Sequence, residues 1–210
     1  MIVVVVGPEE QSFIAPKNVL CRQSSFFRAA FSENWAETGS AASFKMPEDD
    51  PDTLATYLRW AYSGEVVISE HEPTVSDLHD HFERYFEIYI FADKVDDKKL
   101  QNAVIDQVYT LVKRLNKVPS VTDDNLMSRV PEHCMLLKFL VDEYALCSTC
   151  KGFTAELVAA CPAFFAKVLT VMAEQRNSPS QLRNRLLADR VGKCYYHIHD
   201  EDTPACEKRA

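Results

Sequence analysis

The sequence predicts an α+β fold, a small sheet covered by helices over residues 1–115, followed by an all-helical segment over residues 116–190. Three observations carry this reading. Strand candidates are confined to the first 68 residues. Apolar residues at helical spacing take over from about residue 82. Pro119 and the polar residues around it then separate one amphipathic run, Lys98–Leu115, from a C-terminal half with helical pattern alone.

The elements follow in order. Ile2–Val6 is β-branched throughout and suits a buried strand. Gly7-Pro8-Glu9-Glu10 reads as a turn, and Ser12–Ala15 returns antiparallel to the first strand. Pro16 fits the first turn of a short helix running to Cys21. Ser24 or Ser25 can cap a second helix bearing Phe26, Phe27, Ala30 and Phe31. Ala42–Met46 is a third strand, stopped by Pro47. Asp50-Pro51 starts a helix with Leu54, Leu58, Ala61 and Tyr62 at helical spacing, and Gly64 ends it. Val66–Ile68 reads as an edge strand, and residues 69–81 as an acidic, solvated loop. Helices are expected over about Phe82–Ala92 and Lys98–Leu115.

Beyond Pro119, Leu136, Leu137, Leu140, Val141 and Tyr144 share one helical face. Phe164, Phe165, Val168, Leu169 and Met172 share another, on a helix that Pro162 should start. Ser180–Arg190 reads as a last helix, and residues 191–210 as a Cys/His-containing tail. The tail is too poor in apolar residues to fold alone, so it is expected to dock on the helices before it.

Composition narrows the function. The net charge is −8, with −9 on residues 1–113 and +1 on the rest, and no Lys/Arg block occurs. An acidic surface repels phosphate backbones, so nucleic acid is not an expected partner. Ile2–Val6 is too short to cross a bilayer and lacks the basic flank of a signal peptide, so no membrane association is expected. Seven irregularly spaced cysteines without an export signal imply reduced thiols and a cytoplasmic or nuclear location.

Three segments carry a family resemblance: FIAPKNVLCRQSSFFRAAFSENWAE, FKMPEDDPDTLATYLRWAYSGEVVI and YFEIYIFADKVDDKKLQNAVIDQV. Lys17 and Leu20 precede the Ser24-Ser25-Phe26-Phe27 step, and an acidic stretch runs from Pro47 to Asp52. Tyr62-Ser63-Gly64 and Ala92-Asp93-Lys94 complete the set. In this order they closely resemble the BTB/POZ family, especially its members in filamentous fungi, over residues 2–113. The chain departs from the family pattern at Pro16, where a histidine is usual, and Met1 leads directly into the first strand, ahead of which the family usually has an acidic residue and a short segment.

The resemblance implies function through binding and not catalysis: self-association as a homodimer and recruitment of a further protein target. Its candidate self-contacts are Val19, Leu20 and Phe27. Trp35-Ala36-Glu37 matches the hydrophobic-x-Glu pattern of cullin-binding relatives, so Trp35 and Glu37 are candidate contacts to a cullin scaffold of a ubiquitin ligase. The alternative is a transcription-associated or scaffolding protein with no ligase link, and a zinc-dependent regulator stands further off.

Enzyme motifs are not found. The five glycines are too scattered for a phosphate loop, and His79-Asp80-His81 falls in the charged loop. No cofactor is expected. The alternative is structural zinc, with Cys147 and Cys150 meeting Cys194, His197, His199 and Cys206. Against it, buried thiols at helix ends need no metal.

Overall fold

The computed structural model describes residues 1–32, 43–69, 71, 74, 77–115, 117–118, 121, 127, 129–147, 153–177, 192–201 and 203–206. Among these, three strands and eight α-helices form two compact units: residues 1–72 with 87–104, and residues 73–86 with 105–210. The division falls inside two helices.

In the first unit, β1 (Ile2–Val6) pairs antiparallel with β2 (Gln11–Ala15) and parallel with β3 (Ser43–Met46), giving the order β2-β1-β3. The central strand buries Ile2, Val4 and Val6, the alternation its pleat demands. Gly7 makes the turn into β2 at φ 75°, and a Cβ there would press on Pro51 Cγ at 3.2 Å. Val66–Ile68 adds no strand to this sheet; β-branched residues favour extension, but only ladder partners make a strand, and Val66 turns its side chain inward instead.

Two short helices, α1 (Lys17–Gln23) and α2 (Ser25–Ala30), meet at Ser24. Its hydroxyl accepts from Phe27 N–H at 3.0 Å, capping α2, and donates to the Val95 carbonyl. The capped helix delivers Phe27 and Phe31 into an aromatic cluster with Phe26, Phe44 and Tyr57, with ring centroids 5.3–6.1 Å apart. α3 (Pro51–Ser63) opens as its sequence requires, with Asp50 accepting from Thr53 N–H at 2.7 Å. It closes at Gly64, which takes a left-handed conformation.

α4 (Leu78–Lys94) begins four residues earlier than its apolar pattern suggests, so the expected loop over 69–81 is shortened at its C-terminal end. His79 pairs with Glu83 at 3.0 Å on the exposed side of this helix, whereas His81 is buried. The expectation of a solvated His79-Asp80-His81 loop therefore fails: Leu78 and Phe82, both buried, extend the apolar face back through it.

α5 (Lys98–Leu115) follows after a turn in which Asp96 takes φ 52°. Asp97, buried, accepts from Leu100 N–H at 2.9 Å and from the Trp60 indole at 3.0 Å. Lys94 grips the Asp49 carboxylate at 2.7 and 2.8 Å.

In the second unit, α6 (Met135–Cys147) packs against α8 (Pro162–Asn177), which Pro162 does start. A one-and-a-half-turn helix, α7 (Ala155–Ala160), precedes α8 and is capped by Thr154, a signal too short to read as a helix beforehand. Tyr144 is enclosed by Phe153, Phe164 and Phe165, and its hydroxyl accepts from Val121 N–H at 3.0 Å. Leu169, expected on the buried face, is exposed because α8 turns Phe164, Phe165 and Val168 to α6. The Ser180–Arg190 segment lies outside the described residues.

The tail docks as its composition requires. A 3₁₀ turn over Lys193–Tyr196 sets the fully buried Tyr196 edge-on to Phe139 at 5.1 Å, with its hydroxyl donating to Asp142 at 3.1 Å. Burial and the neighbouring Asp142 carboxylate push the Tyr196 phenol up, so it remains a donor across the accessible pH range. Lys138, 3.1 Å from Asp142, covers the Tyr195 ring at 3.9 Å.

Two outcomes are expected. Tyr196→Ala should destabilise the protein by about 3 kcal/mol, the scale of a deleted core aromatic, and accelerate tryptic cleavage after Lys193; unchanged proteolysis would show that Tyr196 does not hold the tail. Trp60→Phe should cost about 1–3 kcal/mol by leaving a buried carboxylate oxygen unpaired. Burial holds the Asp97 carboxyl above its ordinary value, so its contribution is full below the unfolded carboxylate range and is lost as pH rises through the raised folded value. The Trp60→Phe penalty should then grow as pH rises from below the ordinary carboxylate range to neutrality, as urea midpoints measured at the two ends would report.

Candidate interaction surface and metal centre

The self-contact candidates separate by burial. Leu20 and Phe27 have no exposed surface and sit in the core of the first unit, so neither can reach a partner from this position. Phe27 is committed to the aromatic cluster by the Ser24 cap, and Leu20 lies on the inward face of α1. Val19 alone of the three keeps exposed surface.

Other apolar residues are exposed instead. On the sheet, Val3 stands opposite Ile14 on β2, on the face away from Ile2, Val4 and Val6. Ile14 is 65% exposed, Val3 and Val5 are half-buried, and β2 is an edge strand. Alternation in the sequence carries this signal, since Ile14 is out of phase with the buried Ala15. Trp35 and Glu37 lie outside the described residues.

In the second unit, α6 and α8 leave a cavity of about 610 Å³ between them, lined by Leu137, Val141 and Val171 with Lys138, Lys167 and Glu174 at its rim.

The third cluster is in the tail. Cys194, His197, His199 and Cys206 each bring one ligand-type atom to a common point, all within 4.8 Å of one another. His197 Nδ1 lies 3.1 Å from Cys206 Sγ, and His199 Nε2 lies 3.2 Å from Cys194 Sγ. The 3₁₀ turn places Cys194 beside the residues that follow, and a hydrogen-bonded turn between Asp200 and Thr203 folds Cys206 back. His197 is buried against α5, with Nε2 2.9 Å from Asp106 Oδ1. Contact with the His199 imidazole holds the Cys194 thiol below the ordinary thiol range.

The sequence grouped these four residues with Cys147 and Cys150. Cys147 is the last residue of α6, its side chain lies outside the described atoms, and Cys150 lies outside the described residues. The tail closes on itself through local turns. Sequence reasoning set His197 and His199 side by side in an extended segment; the structure turns His197 inward, and Asp106, which the sequence did not single out, receives it. Cys21, Cys134, Cys161, Cys194 and Cys206 form no disulfide. Among the described residues no helix is long and apolar enough to cross a membrane.

The sheet with α1 to α5 agrees with a family comparison. BTB/POZ domains are interaction modules, generally without catalytic activity, that mediate self-association and partner binding. A BTB/POZ domain is detected over residues 2–103.

Proposed function

We propose that this protein works by self-association through its BTB/POZ domain and recruits a further protein, acting as a substrate adaptor for a cullin-type ubiquitin ligase in the cytoplasm or nucleus. The match of residues 2–103 to an interaction domain is the observation that carries the reading. For self-association, the candidate surface is the outward sheet face of Val3, Val5 and Ile14, with Val19 on α1 as the one retained residue of the earlier set. An exposed edge strand beside an apolar face favours pairing with a second copy. For the cullin, the Trp35-Ala36-Glu37 motif supplies an apolar anchor beside a carboxylate, and α6 offers a second patch. A scaffolding or transcription-associated role without a ligase remains the second reading, favoured by the same domain match.

Light scattering of the full chain at tens of micromolar, about the range in which weak dimers form, should give a dimer mass, and Ile14→Glu should shift it to monomer. A strictly monomeric wild type would overturn self-association. A cullin pull-down should succeed with wild type and weaken for Trp35→Ala, since truncating such an anchor costs about 2 kcal/mol or more. Equal recovery with Trp35→Ala and Glu37→Ala, or none with wild type, would leave the scaffolding reading.

A further inference from the structure

The tail cluster supports an inference independent of the interaction reading. We propose that Cys194, His197, His199 and Cys206 form a tetrahedral structural zinc site that clamps the C-terminal tail onto the second unit.

Asp106 Oδ1 can only accept when ionised, so the 2.9 Å contact places the proton of His197 on Nε2 and leaves the lone pair on Nδ1, the atom facing Cys206 Sγ. The Thr203 carbonyl likewise can only accept, so its 3.3 Å contact places the proton of His199 on Nδ1 and leaves the lone pair on Nε2, the atom facing Cys194 Sγ. Each histidine is therefore held from behind by an oxygen acceptor, with its basic nitrogen presented to a sulfur. A carboxylate or carbonyl behind each imidazole is the outer shell that fixes ring tautomer and raises basicity at zinc sites.

Geometry fits the same ion. Zinc bonds of about 2.0–2.3 Å in a tetrahedron require donor atoms about 3.3–3.8 Å apart. The two sulfur–nitrogen contacts are 3.1 and 3.2 Å, and no pair exceeds 4.8 Å, so a shift of about 1 Å at the widest pair closes the site. Two sulfurs and two imidazoles form a soft-to-borderline donor set that selects zinc over magnesium or calcium.

Charge and protons also balance. Two thiols lose their protons to solvent as one Zn²⁺ enters, giving two thiolates, two neutral imidazoles and a neutral centre. With four protein donors no coordination position is left for water or substrate, so the role is structural. The consequence is mechanical. His197 ties the centre to Asp106 on α5, and Tyr196, one residue earlier, is locked against Phe139 and Asp142 on α6. Asp106 acts here as a positioning residue.

Metal analysis of the purified full chain should find about one zinc per chain, as tight four-ligand sites retain their ion through purification. Chelator-treated protein reloaded with Co²⁺ should show the intense visible bands of a tetrahedral thiolate site. Cys206→Ser and His199→Gln, both at exposed positions, should weaken or abolish those bands, while the Cys147→Ser/Cys150→Ser double variant keeps them. Asp106→Asn should keep the bands but lower zinc affinity by about 10-fold or more in chelator competition, the usual effect of losing an outer-shell partner. Below about 0.2 equivalents of zinc with no uptake on titration, a tight site is ruled out. Bands that survive in Cys206→Ser, or vanish in the Cys147/Cys150 double variant, would overturn this ligand set.

Discussion

The first unit depends on one buried carboxylate. Asp97 caps α5 through Leu100 N–H and receives the indole hydrogen of Trp60 from α3, so a single side chain fixes the start of one helix and the angle of another. A buried charge is costly unless its oxygens are satisfied, and here each oxygen has a donor. The turn feeding it is shaped around the same need: Asp96 takes a positive φ, and Asp97 N–H reaches back to the Ala92 carbonyl at 2.8 Å. Moving either residue would leave Trp60 or the α5 N-terminus with an unmade bond.

Around that joint, short elements persist because polar caps and aromatic packing supply what length does not. α1 and α2 have seven and six residues, fewer than an isolated helix needs in water. Ser24 satisfies an orphan donor of α2 and bonds the Val95 carbonyl at the end of α4, so the short helix is tied to a long one. Ser25 adds a hydroxyl contact to Asp96 in the same turn. The aromatic cluster of Phe27, Phe31, Phe44 and Tyr57 then buries the face so presented.

The second unit solves a different problem, attaching a polar tail to apolar helices. Tyr196 combines a large buried ring with a hydroxyl whose acceptor is supplied by α6, so the tail gains apolar contact without stranding a polar atom. Lys138 neutralises the same acceptor and lies over Tyr195. This docking sets where residues 197–206 can go, and hence which residues can gather around a metal.

Much of this was decided by the sequence alone. Asp50-Pro51 and Gly64 bound α3, Pro162 starts α8, the six-residue apolar series starting at Leu100 spans α5, and Tyr196 carries the tail's apolar weight; each follows from local backbone chemistry or strong periodicity. Tertiary structure decided what depends on distant partners. Val66–Ile68 has strand composition but joins no ladder, and Leu78 extends α4 because burial rewards it. Leu20 and Phe27 could have faced core or partner, and only the packing around Ser24 and Tyr57 turned them inward. Ligand spacing marked Cys194, His197, His199 and Cys206 as chemically able to share a metal. Their closure on one another, and the choice of Asp106 as the acceptor behind His197, came from a turn and from a residue 91 positions away, which linear spacing cannot encode.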